Sequence, residues 1–271
     1  MTTEQTLHDI RNGAAWITLN RPAQRNALSS TLVAELDAHL AAANEDSAVR
    51  CIVITGADPA FCSGADLKSP PGQALPGQRT VPYADVLRHI MESPKPVIAA
   101  VNGPAFAGGL GLVGAADIVI TAEDAQFSFS EVRIGVIPAV IAVACLPKLG
   151  PHHGMRLMLT GERFSGARAV EIGFAHRAVP KAALHAAVAG EVEAICLGGP
   201  NAVIECKKLV RRVPHLSIEE GFREMAEWSR RMFGTPEATE GMAAFREKRK
   251  PSWVAQGNAA ATGKGGDIKS G

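Results

Sequence analysis

Two stretches of the chain nearly repeat each other: Pro59-Ala60-Phe61-Cys62-Ser63-Gly64-Ala65-Asp66-Leu67 and Pro104-Ala105-Phe106-Ala107-Gly108-Gly109-Leu110-Gly111-Leu112. Each follows a short apolar run that reads as a buried strand, 49–55 and 96–101, and each runs through small residues into an apolar stretch suited to open a helix. A strand–loop–helix junction leaves backbone N–H groups without partners at the helix N-terminus. Such groups suit an anion, or an oxygen that gains negative charge during a reaction. Glycine and alanine let a ligand approach that backbone closely. Two such junctions side by side supply two converging donors for one oxygen. Glu131, in the next strand-like segment, is the natural third member, a carboxylate able to move a proton beside that oxygen.

Other chemistry-bearing residues have plainer readings. Gly109-x-Gly111-x-x-Gly114 matches a dinucleotide fingerprint letter for letter. The preceding strand ends at Val101, too far upstream for the tight turn that fingerprint needs. Taken alone, Glu131 reads as a surface carboxylate paired with Arg133. The adjacent His152 and His153 point apart on a helix and lack a third metal ligand at suitable spacing. Cys62 lies beside a donor, but no histidine near it in sequence marks it as a nucleophile, so it reads as a small buried thiol. The basic cluster 246–250 is a solvated helix end favoured by the macrodipole, or a phosphate contact.

The elements that must position these groups follow from periodicity and turn chemistry. Residues 9–19 read as a hairpin turning on Asn12-Gly13, ended by Asn20-Arg21-Pro22. From Ser30, apolar residues at Leu32, Leu36 and Leu40 give one buried helix face. A strand over 51–55, a Pro-, Gly- and Gln-rich loop over 68–81, a helix over 83–91 and a strand over 96–101 follow. A further helix ends before Asp117, and 117–121 is again a strand. In 126–132, Phe127 and Phe129 alternate with Ser128 and Ser130, which predicts a half-buried strand with Glu131 on the Phe face. This alternation points to an α/β architecture of layered ββα or βαβ units. Beyond Pro200 the strands stop. Ser217-Ile218-Glu219-Glu220 is a capping box opening a helix with Phe222, Met225, Met232 and Phe233, and Thr235-Pro236 opens another. The expected division is a core over 1–200, a helical region over 201–256, and a Gly-, Ala- and Lys-rich tail over 257–271 that reads as disordered.

Bulk properties narrow the field. A chain of 271 residues, 46% hydrophobic and 20% charged, buries an ordinary globular core. A formal net charge of +1 gives no electrostatic reason to expect a nucleic-acid or membrane partner. The polar N-terminus lacks the apolar stretch of a signal peptide, and no apolar run approaches the roughly 20 residues that span a bilayer. The odd count of five cysteines, without Cys-x-x-Cys spacing, points to reduced thiols and a cytoplasmic setting.

These motifs, taken in order, resemble the crotonase superfamily, the enoyl-CoA hydratase/isomerase family. The match runs from Leu19-Asn20-Arg21-Pro22 and Arg25-Asn26-Ala27-Leu28, through both glycine-containing loops, to Glu240-Gly241-Met242-Ala243-Ala244-Phe245 and Glu247-Lys248-Arg249. It covers nearly all of the chain except the tail. The run Phe129-Ser130-Glu131-Val132-Arg133-Ile134-Gly135-Val136-Ile137-Pro138-Ala139-Val140-Ile141 is similar to a methylglutaconyl-CoA-hydratase-like subgroup. The resemblance implies a crotonase-like spiral of ββα units with a C-terminal helical trimerisation region, assembling as homotrimers or hexamers. It implies acyl-CoA thioester substrates, with CoA part of the substrate and no separate cofactor or metal. It also implies an oxyanion hole from the N–H groups of Ala65 and Gly108, with Glu131 as the acid/base. Arg25 and Ala27 fall where the family contacts CoA phosphates and adenine, Asp66 and Leu67 beside adenine and pantetheine, and Lys248 in a segment that reaches a CoA phosphate, sometimes of a neighbouring subunit.

One position departs from the pattern. Hydratases of this family carry a second Glu on the helix after the second loop, where it holds the attacking water; here that position is Gly111. Three readings follow. Glu131 handles both water and proton in a hydratase; or it shuttles a proton alone, as in a 3-enoyl/2-enoyl isomerase; or Tyr83, Asp85, His89 or Glu92 supplies the missing polar group. A non-catalytic acyl-CoA-binding protein is the alternative of another class.

Overall fold

The computed structural model describes residues 4–68 and 80–254. The chain opens with β1 (Thr6–Arg11) and β2 (Ala14–Leu19), paired antiparallel across Asn12 and Gly13. Both turn residues have positive φ, 52° and 79°, the backbone a two-residue hairpin requires. The Ser29 side chain accepts from the Leu32 N–H and opens α1 (Ser30–Glu45), which buries Leu32, Leu36 and Leu40.

Next come β3 (Cys51–Gly56), α2 (Tyr83–Glu92), β4 (Val97–Val101), the short β5 (Ala105–Phe106), α3 (Gly108–Ala115) and β6 (Ile118–Ala122). Further on lie β7 (Gln126–Ser128), α4 (Ala139–Thr160), β8 (Phe164–Ser165), α5 (Gly166–Glu171) and β9 (Arg177–Val179). The main sheet has the order β1-β2-β3-β4-β6-β9, parallel from β2 onward, and β5-β7-β8 form a second small sheet.

Alternation along the central strands divides the core into two layers. Ile17, Leu19, Ile52, Ile54, Val97 and Ala99 face one side, where the buried residues of α1 to α4 pack. Trp16, Val53, Ile98 and Ile120 face the other, against Leu184, Val188 and Val192 of α6 (Leu184–Leu197). The helices α7 (Pro200–Arg212), α8 (Ile218–Phe233) and α9 (Pro236–Glu247) complete the described chain. The capping box at Ser217 and Glu220 is fully formed, and Pro236 stands in the first turn of α9.

Two sequence expectations are corrected. The strand predicted over 126–132 stops at Ser128, because its partners are only two residues long on each side. Phe129 leaves the strand (φ −82°, ψ 74°), and 130–134 winds into a 3-10 helix with Glu131 in its first turn, closed by Gly135 at φ 78°. The alternate face is not solvated either, since Ser128 is buried and donates to Gly161 O at 2.9 Å. The first repeat does not open a helix within the described residues. Cys62 bridges to Ala105 and Ala65 to Leu28, so the segment is held as extended backbone. Most of the loop predicted over 68–81, and the tail 257–271, lie outside the described residues.

Candidate active site

The two repeats do converge. Both follow parallel strands, β3 and β4, and therefore leave the same end of the sheet. Phe61 N–H and Cys62 N–H donate to Pro104 O, and Phe106 N–H donates back to Cys62 O at 2.9 Å, which locks the loops side by side. In the bridge between 28 and 65, Leu28 N–H donates to Gly64 O and Asp66 N–H to Leu28 O. The Ala65 N–H between them takes no acceptor among the described residues. Gly108 is the first residue of α3, so its N–H has no intrahelical partner. A Cβ placed on Gly108 would lie 3.6 Å from Ala65 N, and one on Gly64 would lie 3.3 Å from Gly108 N. The two donors thus flank one small space, which a side chain on Gly108 would enter.

The backbone that aims the Gly108 N–H is strained. Ala107 sits at φ 46°, ψ −120°, a conformation natural only to glycine. It is held there because its own N–H donates to Ser128 O at 3.0 Å, next to the β5–β7 pairing. Glu131 follows three residues beyond Ser128, on the segment that this contact ties to the second loop. Its Oε2 is buried and has no hydrogen-bond partner among the described residues. Burial pushes the carboxyl pKa up, countered only in part by its own backbone N–H. Arg133 does not pair with it; the guanidinium donates to Gly161 O and Thr160 O at 3.2 and 3.3 Å.

Of the four alternatives in α2, one reaches the site. The Tyr83 hydroxyl donates to Gly108 O at 2.5 Å, and burial above all, with Cys62, Cys145 and lastly Glu131 adding to it, raises its pKa. Asp85 instead pairs with Arg88, and His89 Nδ1 meets Asp37 at 2.5 Å. Cys62 is fully buried, with its thiol pushed up to about 12 by desolvation, which makes it a packing residue rather than a nucleophile. Gly109, Gly111 and Gly114 lie inside α3 and not in a strand–helix turn, so the dinucleotide fingerprint has no structural counterpart.

The residues assigned to CoA by resemblance form one edge. Arg25 is exposed at φ 50°, and its carbonyl accepts from Ser63 N–H. Ala27 is buried below it, and Leu67 is 78% exposed. Asp66 is ion-paired with Arg21 at 2.8 Å, and Arg21 also donates to Ala27 O at 2.6 Å. Lys248 is set apart: its neighbours Lys250 and Trp253 line a cavity with Arg11, Gly13 and Arg50, at the other end of the strands.

Arg21 and Asn26 are contributors whose roles sequence reading missed, since their partners are remote in the chain. Asn26 is fully buried; its Oδ1 accepts from Arg21 N–H, and its Nδ2 donates to Ala57 O and Ala60 O at 2.7 Å each. It stitches the first loop to the end of the hairpin. Asn26→Ala strands the buried Ala60 O, at a cost of about 1–3 kcal/mol, together with the part-buried Arg21 N–H and Ala57 O. A Tm drop of several degrees, with activity falling in step, is the expected outcome of a melting curve and a parallel assay.

Comparison with known proteins identifies the family. The family model described as Enoyl-CoA hydratase/isomerase matches residues 9–256. A protein named probable enoyl-CoA hydratase from Rhizobium meliloti is 36% identical over 251 residues, spanning 92% of this chain and 98% of that protein. A carnitinyl-CoA dehydratase from Proteus mirabilis is 34% identical over 263 residues, spanning 92% and 98%. A crystal structure of enoyl-CoA hydratase from Mycobacterium smegmatis superimposes with a TM-score of 0.83 at 31% identity, covering 92% of this chain and 98% of that one. A sheet-and-helix spiral whose paired loops leave one end of the sheet, matched over nearly its full length by the family model, makes this chain an enzyme of the enoyl-CoA hydratase/isomerase family in the crotonase superfamily.

Proposed function

We propose that the protein adds water across the double bond of a trans-2-enoyl-CoA thioester. The carrying observation is a pair of backbone N–H groups that share one space, with the buried Oε2 of Glu131, unpartnered among the described residues, three residues beyond the Ser128 carbonyl that holds the second loop. The thioester oxygen accepts from Ala65 and Gly108 N–H, so negative charge arriving there meets donors already in place. The Glu131 carboxylate removes a proton from water as the water oxygen bonds to the β-carbon, and the double-bond electrons move toward the thioester oxygen as an enolate. The protonated Glu131 then returns its proton to the α-carbon, and H and OH have been added with no group left over. Burial suits Glu131 to this work because it brings the carboxyl pKa closer to neutrality. The likeness of 129–141 to methylglutaconyl-CoA-hydratase-like proteins supports hydration.

A second reading has its own observation. Residue 111 brings no carboxylate to the site, and a single base can move a proton between α- and γ-carbons without water, giving a 3-enoyl to 2-enoyl isomerase. The deciding experiment is turnover of a trans-2-enoyl-CoA and the matching 3-enoyl-CoA by the purified protein. Hydroxyacyl product from the first establishes the hydratase; double-bond migration without hydration establishes the isomerase; tight binding with no turnover of either leaves an acyl-CoA-binding protein. We further propose a homotrimer or a hexamer of two trimers. Ile218, Phe222 and Phe245 of the C-terminal helices are 82%, 77% and 86% exposed in one chain, which supports a buried role between subunits. In that assembly Lys248 serves the CoA of a neighbouring copy. Light scattering at the mass of a monomer would rule the assembly out.

A further inference from the structure

The helix that presents the Gly108 N–H is badly equipped to hold itself. Four of the eight residues of α3 are glycine, three of them in its first turn, and no side chain among the described residues caps its N-terminus. Glycine is the weakest helix former after proline, because its backbone loses the most freedom. The helix is held from outside, on its carbonyls. Tyr83 Oη donates to Gly108 O, Cys145 Sγ to Leu110 O at 3.3 Å, and Lys148 Nζ to Val113 O at 3.3 Å. The first of these contacts bears on the residue that carries the oxyanion donor.

Tyr83, the only tyrosine of the chain, occupies a defined slot. Its hydroxyl donates to Gly108 O, and the Leu112 N–H is directed at the phenol oxygen itself. Those two groups are the partners of the first i to i+4 rung of α3, so the phenol oxygen is seated in that rung. The seat depends on glycine at 111. A Cβ there would lie 2.9 Å from Tyr83 Oη and 2.7 Å from Ile141 Cγ2, closer than real side chains come. Gly111 has no positive φ to account for its identity. The space itself explains it.

We propose that Tyr83 is a positioning residue, whose hydroxyl fixes the Gly108 peptide and so the aim of the oxyanion donor, and that Gly111 is glycine in order to admit that hydroxyl. This rests on the reading of Ala65 and Gly108 N–H as the oxyanion hole, and deepens it. The phenol stays protonated at any working pH, since burial holds its pKa well above the ordinary value. It is a fixed donor and takes no part in proton transfer.

The test is Tyr83→Phe, read by the infrared carbonyl band of bound butanoyl-CoA, isotope-labelled at its carbonyl. This saturated ester cannot be hydrated. In the wild type the band moves to lower frequency on binding, because two N–H donors polarise the thioester. In Tyr83→Phe the shift is smaller, the ester still binds, and kcat on a trans-2-enoyl-CoA falls about tenfold to a hundredfold with KM little changed, as expected for a displaced donor. Gly111→Ala, which keeps the hydroxyl but fills its seat, gives the same signature and serves if Tyr83→Phe does not fold. A full wild-type shift in both variants overturns the proposal, whatever happens to their rates. No shift in the wild type overturns the oxyanion-hole reading itself. A wild-type shift without turnover of any 2-enoyl ester overturns the hydratase reading while the positioning role stands.

Discussion

Glu131→Gln is expected to lower kcat on an enoyl-CoA substrate by about 10²–10⁴-fold, the usual worth of a positioned acid–base group, while KM stays within a few-fold. The amide is nearly isosteric with the carboxylate, so the paired loops keep their shape and only the proposed proton carrier is lost. Steady-state kinetics on the two proteins checks this. The wild-type pH profile should carry the same signature. The carboxylate form must be present to take a proton, and burial raises its pKa, so the acid limb of kcat/KM lies above the ordinary glutamate value of 4.5 and is absent from the residual activity of Glu131→Gln.

The same burial has a consequence for stability, with the opposite benefit. A carboxyl whose pKa is higher folded than unfolded favours the native state only while both forms are protonated. As pH rises through 4.5 the unfolded chain ionises first, and that relative advantage is lost by the time the native group ionises. At neutral pH the wild type therefore carries the cost of a desolvated carboxylate whose Oε2 has no partner among the described residues, and Glu131→Gln is relieved of it. The variant should melt higher than wild type at pH 7 and approach it below pH 4.5. A variant both inactive and less stable at neutral pH would place Glu131 in a structural network instead.

How much of this was legible in the sequence depends on the range of the interactions involved. The hairpin at Asn12-Gly13, the α1 face of Leu32, Leu36 and Leu40, and the Ser217 capping box are local, and local chemistry decides them. The repeated loops were visible because strands place them, and parallel strands must leave from the same end of a sheet. The 3-10 turn at Glu131 was not. Phe127 to Ser130 alternates like a strand, yet pairing ends where the two-residue strands β5 and β8 run out, and no residue within the segment announces that. Ala65 was read as a helix-end donor, but it reaches the same place on extended backbone bridged to Leu28. The outcome for the N–H is equivalent, because a bridge also leaves alternate N–H groups unpaired. The long α4 escaped because Pro147, Gly150 and Pro151 interrupt it; Gly150, at φ 64°, marks a kink joining two helical pieces. Choosing Tyr83 from among Tyr83, Asp85, His89 and Glu92 required coordinates, since all four lie on one helix and only its orientation tells them apart.

Gly108→Ala should cost as much catalysis as the loss of a whole donor while leaving the fold as stable or more so. The added methyl points into the space between the two N–H groups, 3.6 Å from Ala65 N, and its one tight neighbour is the flexible Leu28 Cδ1 at 2.9 Å. Leu28 can move, whereas the methyl would occupy the proposed seat of the thioester oxygen. The expected fall in kcat/KM is about 10²–10³, or about 2.7–4 kcal/mol of lost transition-state stabilisation. Gly108 lies in a helix without a positive φ, so alanine also returns some of the roughly 0.5–1 kcal/mol that glycine costs there, and Tm should hold or rise. Gly109→Ala provides the contrast. Its methyl would run into the backbone carbonyl of Cys62, the acceptor that ties the first loop to Phe106. That variant should lose stability and activity together. Melting curves beside kinetics separate the cases, and a Gly108→Ala protein that turns over like wild type would mean the oxygen binds elsewhere.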